Sequence, residues 1–437
     1  MCAPSYGGGT NVYVSIQGCC AGANPAAALR RTRGPVASLN PRRCAITWIS
    51  APRNGGPERA HPSVFARDER IRILSAHLAD GRELYYFDDI GSALPEVRRA
   101  DSRELDPRPA TAEMRRDPLS GEWVSIAAAR QNRVMLPPAS LDPLAPQTPG
   151  NPSEIPDDYD VAVFENRSPS FGPRFDLDAS PGGPDETGLD QTLPAAGRCE
   201  VVCFSPSTEG SFAALGSNRA RTVIEAWAVR TKELSTLPAV AQVFPFENRG
   251  EAIGVTLHHP HGQIYAYPYV TPRTQRVQAE VARYGASLFA DILDRERTSP
   301  RVLHAGALWT AYVPFAARWP IEIHVLPHRG VRDLAETSLA ERDELALLLP
   351  RLLGAVDALY DSPTPYIASW HQAPLVGGDD IRLMFKIESP RRAADKLKFL
   401  AGSEAAMGAW VSDVSPESAA HRLQDALAAF DQYPGSR

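Results

Sequence analysis

Apolar and polar positions along this chain change period repeatedly. Residues 78–89 alternate in steps of two, as a half-buried strand does, and 160–166 and 200–205 are shorter runs of the same kind. Residues 219–235 carry a helical period, 240–247 return to strand, and 254–268 form a long strand-like run. A helix is predicted over 273–295. The order then recurs, with strands over 309–315 and 321–326, a helix over 338–360, and strands over 366–370 and 382–388. Ser338-Leu-Ala-Glu341 offers that helix a capping box, and Pro350 predicts a kink within it. Strand–strand–helix–strand–strand, met twice, predicts an α+β protein built as one pseudo-repeat of two related units. The units span 78–270 and 271–437. A turn and strand at 115–124, a Pro/Ala/Asp loop at 136–158 and a Gly/Pro/Asp-rich stretch at 172–197 interrupt the first. Residues 1–75 show little periodicity and are expected to be either a disordered extension or sequence upstream of the true start.

Composition narrows the function classes. A length of 437 residues suits two or three domains of roughly 150 residues, or one large pseudo-repeat. The net charge of −6 leaves no basic footprint for nucleic acid, and no apolar run approaches the ~20 residues of a membrane span. The six cysteines include no CxxC pair, so cysteines alone define no zinc knuckle. Cys199 and Cys203 fall in a predicted strand as small buried apolar residues. No secretory signal is present, and a cytoplasmic location is expected.

The chemistry concentrates in His258-His259-Pro260-His261-Gly262-Gln263. Imidazole is largely unprotonated near neutral pH and is a competent nucleophile. A phosphoramidate on a ring nitrogen passes its group on, so covalent catalysis would split one hard exchange into two easier ones. Extended backbone sends residues 259, 261 and 263 to one face. Pro260 stiffens the run, and Gly262 is expected to let backbone approach a phosphate closely. The Gln263 amide can hydrogen-bond a phosphate oxygen but cannot act as a general acid.

This pattern resembles the active-site motif of the galactose-1-phosphate uridylyltransferase family, a branch of the histidine-triad superfamily. The resemblance covers about residues 78–430 and implies two tandem histidine-triad-like units. It implies that His261 attacks the α-phosphorus of a nucleotide and carries the nucleotidyl group, with His259 orienting it. Glutamine at 263, where histidine-triad hydrolases have a third histidine, favours transfer over hydrolysis. Phe246-Glu247-Asn248-Arg249-Gly250 resembles the block whose asparagine meets the nucleotide phosphates, which points to Asn248. Thr256 stands where the family often has a serine near the β-phosphate. Arg130 and Arg133 resemble an arginine pair given to the neighbouring subunit's site, which implies a homodimer. Phe164-Glu165-Asn166-Arg167 resembles the block around ribose and base, which points to Asn166, although Ser168-Pro169 replaces the usual Phe-Pro. Lys396-Leu-Lys398-Phe-Leu-Ala-Gly-Ser-Glu404 resembles a block in which Lys398 would reach phosphate or sugar and Glu404 the sugar hydroxyls. His324 and His328 read as satisfied strand histidines.

The chain departs from the family at its metal ligands. The CxxC slot reads Asp142-Pro143-Leu144-Ala145 and a histidine slot reads Thr208, so of that set His259 alone remains. At the second site, beside His371 in Ser369-Trp370-His371-Gln372-Ala373-Pro374, Met384 and Lys386 stand for two histidines. Neither the zinc nor the iron of the family is therefore expected, and no other cofactor. Lys386 would place a new positive charge at the sugar end. The resemblance implies an enzyme that exchanges UMP between UDP-glucose and a sugar 1-phosphate, galactose 1-phosphate or a variant, by ping-pong through uridylyl-His261. One alternative uses UTP or phosphorolysis to make an unusual nucleotide sugar. The other is an inactive nucleotide-binding homologue.

Overall fold

Helix α1 (Ser217–Leu234), together with nine strands, makes up the first half of the chain. The strands are β1 (Arg72–His77), β2 (Glu83–Asp88), β3 (Glu113–Arg116), β4 (Trp123–Ile126), β5 (Val161–Glu165), β6 (Thr192–Pro194), β7 (Arg198–Cys203), β8 (Gln242–Arg249) and β9 (His261–Tyr267). The second half supplies α2 (Pro272–Tyr284), α3 (Leu288–Arg297), β10 (Val302–Ala305), β11 (Trp309–Tyr312), β12 (Ile321–Pro327), α4 (Leu339–Asp357), β13 (Tyr366–His371), β14 (Met384–Ser389), β15 (Arg391–Ala393), β16 (Lys396–Leu397) and α5 (Pro416–Asp431). This computed structural model describes residues 65–106, 108, 112–132, 136–173 and 187–432. Among them, no helix is long and apolar enough to cross a membrane.

Eleven strands form one sheet in the order β1-β2-β5-β7-β9-β8-β13-β14-β12-β11-β10, with every neighbouring pair antiparallel. The halves therefore meet edge to edge. At the seam Ile367 of β13 lies opposite Asn248 of β8, and Ser369 lies opposite Phe246. The fold is α+β, as the alternating periods predict. The separate sheet β4-β3-β6 packs through Met114 with Phe171, Ala195 and Cys199, against Tyr265 and Tyr267 of β9.

One sheet face carries α1, α4 and α5. Val223, Ile224 and Trp227 of α1 and Leu345, Leu349 and Leu352 of α4 share a core with Val163, Ile264, Ile323 and Ile387 of the strands. Strand alternation turns the neighbouring residues His261, Gln263, His324 and Lys386 to the opposite face. There α2 and α3 cover only the far end, where Val281, Phe289 and Leu293 pack on Tyr312 and Leu326. The β4-β3-β6 sheet covers Tyr265 and Tyr267, and Leu144, Ile155 and Tyr159 cover Leu84, Phe164 and Val201, so His261 stands at an opening between these layers.

A buried ionic network joins the helices. Fully buried Arg342 of α4 pairs with fully buried Glu225 of α1 at 2.9 Å, and Arg221 links Glu225 to Asp68 at 2.8 and 3.0 Å. Arg342 also donates to the Ala66 and Thr337 carbonyls.

Several elements differ from their expected bounds, each for a local reason. The ordered fold starts ahead of Leu78, since Ile71 is buried and β1 pairs along β2. Residues 1–64, and with them most of the expected extension, lie outside the described residues. The motif strand begins at His261 rather than 254, because Gly250 and Gly254 take φ of 97° and 83° and turn the chain, and Pro260 has no N–H to donate. The helix expected over 273–295 is two helices, split at Gly285 with φ of 119°. Helix α4 has the expected Ser338–Glu341 capping box and runs on past Pro350.

Removing one member of the buried network strands the other charges. Glu225→Ala is expected to lower unfolding stability by about 3–5 kcal/mol. Urea denaturation checks this; a loss under ~1 kcal/mol, the worth of an exposed pair, would show that the network is solvated.

Candidate active site

Strand β9 opens with the nucleophile candidate. His261 is half-buried on the face opposite α1 and α4. Its Nδ1 lies 2.7 Å from the His259 carbonyl oxygen, a contact in which Nδ1–H donates. Nε2 has no hydrogen-bond partner among the described residues and lines a cavity of about 600 Å³. Burial pushes the His261 pKa below its ordinary value, with the His259 charge adding to the effect and the carbonyl opposing it. The ring is therefore neutral near pH 7, with its free nitrogen carrying the lone pair.

His259 is oriented differently from the expected common face. It precedes the strand, and its ring is buried. Nδ1 lies 2.6 Å from Asp142 Oδ2, and Nε2 lies 2.7 Å from the Ser205 carbonyl and 3.2 Å from the Tyr159 hydroxyl. A ring donating from both nitrogens fits this surround, with Asp142 as its counter-charge. Burial raises the Asp142 carboxyl, but the hydrogen bond and charge of His259, with the Leu144 amide and the Thr208 side chain, hold it below the usual range. Tyr159 donates to the Leu144 carbonyl at 2.7 Å and closes the cluster. His259 thus orients His261 through its main-chain carbonyl, while its ring anchors that main chain.

Gly262 faces the core rather than a phosphate. A Cβ there would meet Phe204 Cζ and the Phe246 carbonyl, each at 2.9 Å, so only glycine lets β9 pass β8 and Phe204. Gln263 follows on the His261 face, opposite Phe246 and Val201.

The other predicted residues divide. Asn248 lines the cavity, and its side chain makes no hydrogen bond to a described residue. Thr256 lies between the lining residues Val255 and Leu257, its carbonyl accepting from Leu136 N at 2.8 Å. Asn166 sits in a turn, accepting from Ser168 N at 2.9 Å, outside this cavity. Arg130 donates to the Ser168 carbonyl at 3.0 Å and does not line the cavity either. Arg133 lies outside the described residues. Lys398 is buried and turned inward: it donates to the Arg318 carbonyl at 2.8 Å and to the Val411 carbonyl, and lies 3.5 Å from Glu404. Within its own chain, this pair pins the 398–411 segment and does not reach His261.

The cations that do line the cavity were missed in the sequence. Lys396 is exposed and has no carboxylate partner among the described residues. Arg249 is clamped by Asp357 at 2.5 Å, and Arg391 is held by the Ser362 and Pro363 carbonyls. Lys396 carries a local signal, standing two positions before Lys398 in the same block. Arg391 carries none. Lys386 does not line this cavity and faces a second one on the same side of the sheet.

Profiles of two families match the chain in succession: the N-terminal domain of galactose-1-phosphate uridyl transferase over residues 104–271, and its C-terminal domain over 272–433. The chain belongs to the galactose-1-phosphate uridylyltransferase family. The galactose-1-phosphate uridylyltransferase of Streptomyces lividans is 40% identical over 377 residues, covering 81% of this chain and 98% of that protein. The Thermotoga maritima enzyme of the same name is 33% identical and covers 72% and 98%. Among solved structures, a uridylyltransferase superposes with a TM-score of 0.64 at 31% identity, covering 72% of this chain and 99% of that one. An ADP-glucose phosphorylase from Arabidopsis thaliana, at 20% identity and a TM-score of 0.53, shares the fold.

The residues in the family's metal slots do not fit the metals. Asp142, Thr208 and His259 offer a carboxylate, a hydroxyl and an imidazole whose two nitrogens are already bonded to oxygen, which cannot make a closed tetrahedral zinc site. At the second site His371 is flanked by Met384 and the cationic Lys386. Among the described residues no three His, Cys, Asp or Glu side chains gather as a ligand set.

Asp142→Ala leaves a buried donor of His259 unpaired and is expected to cost about 1–3 kcal/mol. The sign with pH follows from the lowered Asp142 value. Its stabilisation is complete above the unfolded carboxyl range near 3.8 and is lost as pH falls through the lower folded value. The melting-temperature gap between wild type and Asp142→Ala is therefore expected to be wide at pH 7 and to narrow in acid. A gap that widens in acid would contradict the pairing.

Proposed function

We propose that this chain exchanges a uridylyl group between a UDP-sugar and a sugar 1-phosphate by ping-pong through His261. The single observation that carries the reading is the free Nε2 of a neutral His261 facing the cavity, with Nδ1–H held by the His259 carbonyl. The Nε2 lone pair attacks the α-phosphorus of the UDP-sugar. The bond from that phosphorus to the bridging oxygen breaks, and the sugar 1-phosphate leaves with the electron pair. The substituted ring gains positive charge, which the His259 carbonyl stabilises through Nδ1–H. The incoming sugar 1-phosphate then attacks the same phosphorus and restores the neutral ring. Lys396 and the Asn248 amide offset charge on the phosphates. The protein's part is positioning and charge neutralisation, as in phosphoryl transfer generally.

Galactose 1-phosphate is the acceptor implied by the names of the Streptomyces lividans and Thermotoga maritima relatives. The Asp142–His259 pair replaces a metal as the anchor of the motif, and on this reading the enzyme needs no zinc or iron. A homodimer is part of the same reading: Arg130 does not reach His261 within its own chain, and Lys398 and Glu404 are turned away from it. The free thiols Cys199 and Cys203 suit a reducing, cytoplasmic setting.

Incubation with UDP-glucose is expected to give a uridylyl adduct by intact mass spectrometry, and His261→Ala to give none. An adduct from UTP alone would instead make the protein a primary nucleotidylyltransferase, and no adduct from either would leave a binding homologue. Because the His261 pKa is lowered, the base form persists as pH falls through 6.5. The acid limb of the single-turnover rate is expected below that value; a limb centred above it would contradict a neutral, buried nucleophile.

A further inference from the structure

We propose that a second cavity on the same sheet face, distinct from the one at His261, binds a phosphate monoester carrying an aromatic or apolar body. It encloses about 690 Å³ between α2, α3 and the strands β11, β12 and β14, and shares no lining residue with the His261 cavity. At its floor stands Lys386, only 6% exposed. Its ammonium makes no hydrogen bond or ion pair with any described residue. The stem is buried while the ammonium opens onto the cavity, and a charge held in so apolar a wall favours an anion beside it. Lys386 lies on β14 between Ser369 and His324, which offer neutral or hydrogen-bonded groups.

The surrounding charges are unbalanced. Three nearby carboxylates are paired with arginine: Glu388 with Arg273 at 3.1 Å, Glu296 with Arg301 at 2.7 Å, and Glu280 with Arg283 at 2.6 Å. Glu322 accepts from the neutral His324 ring at 2.9 Å and, with Glu388, attracts the Lys386 charge without touching it. The lining cations Arg276, Arg295 and Arg318 have no carboxylate partner among the described residues. Three guanidinium groups and one ammonium thus line the cavity without a direct ion pair to any described residue. A phosphate dianion offers the acceptor oxygens that such donors take in bidentate fashion. Burial and the Arg273 charge pull the Lys386 pKa down to about 8, so it remains mostly charged near neutrality.

The walls fix the rest of the ligand. Leu288, Phe289 and Ile292 form one side, and Phe315, 64% exposed, with Trp410, 37% exposed, stands at the mouth. Arg295 lies 5.3 Å from the Phe315 ring centroid, and Arg318 lies 6.0 Å from that of Trp410. Exposed rings beside guanidinium groups suit a flat or apolar body attached to the anion. A small hydroxylated sugar phosphate would leave those walls in contact with polar groups.

Phenyl phosphate is the probe. Calorimetric titration of the full-length protein is compared with Lys386→Met, which keeps the chain length and packing while removing the charge. Wild type is expected to bind, and Lys386→Met to lose roughly tenfold or more of the affinity, as a charge-assisted contact implies. Without ligand, Lys386→Met is expected to melt at or above the wild-type temperature, which separates loss of the site from loss of fold. Uridylylation of His261 by UDP-glucose, followed in parallel, is expected to persist in Lys386→Met, and phenyl phosphate is expected to bind alongside UDP-glucose. Equal affinity in both proteins overturns the site, as does displacement of phenyl phosphate by UDP-glucose. Failure of wild type to bind, or exclusion of the probe by self-association in sedimentation runs, overturns it too.

Discussion

The hydrogen bond from His261 Nδ1–H to the His259 carbonyl is the constraint on which the rest of this molecule converges. It selects the tautomer and aims Nε2 into the cavity. A carbonyl two residues upstream is normally free to swing with its loop. Here it is held because the side chain on the same residue is buried and bonded at both nitrogens. Asp142, Ser205 and Tyr159 come from three separate segments, so the aim of the His261 ring depends on tertiary structure rather than on the motif alone.

The continuous sheet serves the same end. Because β8 and β13 pair at the seam, Asn248 is braced from the second half of the chain, and the β15–β16 hairpin brings Lys396 and Arg391 to the cavity that His261 of the first half lines. The helices behind the sheet bury one face thoroughly, with the Arg342–Glu225 pair locking α4 to α1. That leaves the opposite face partly uncovered, which is where both cavities lie.

What was legible in the sequence depended on whether the deciding contact was local. The α+β order, the capping box at Ser338 and the shared face of His261 and Gln263 follow from periods and spacings within a few residues, and the structure has all three. The break at Gly285 was also local, and its positive φ is the property that glycine supplies. The packing need for Gly262 was not legible, since its obstacle, Phe204, follows β7 and is distant in sequence. The face of His259 was misplaced because proline and two turn glycines delay the strand until His261. Lys398 and Lys396 differ by two positions in one block, and only the fold shows which of them faces His261 and which is spent on main-chain carbonyls.

The Asp142–His259 anchor has a consequence for how tightly the site can be held. A structural metal contributes its whole binding free energy, about 10–16 kcal/mol in small zinc domains, to the arrangement of its ligands. One charge-assisted hydrogen bond contributes about 1.5–3 kcal/mol net. On the proposed metal-free reading, a site anchored by the weaker bond takes the difference from packing around the motif. Tyr159 is fully enclosed beneath His259, Cys203 lies opposite His261 in the sheet, and Gly262 is pressed against Phe204 with no room for a methyl group. The motif is therefore wedged by its neighbours as much as bonded to them. Such a wedge is sensitive to volume, so divergence at this site should be resisted at Gly262, where a methyl group would meet Phe204, and at Tyr159, enclosed beneath His259.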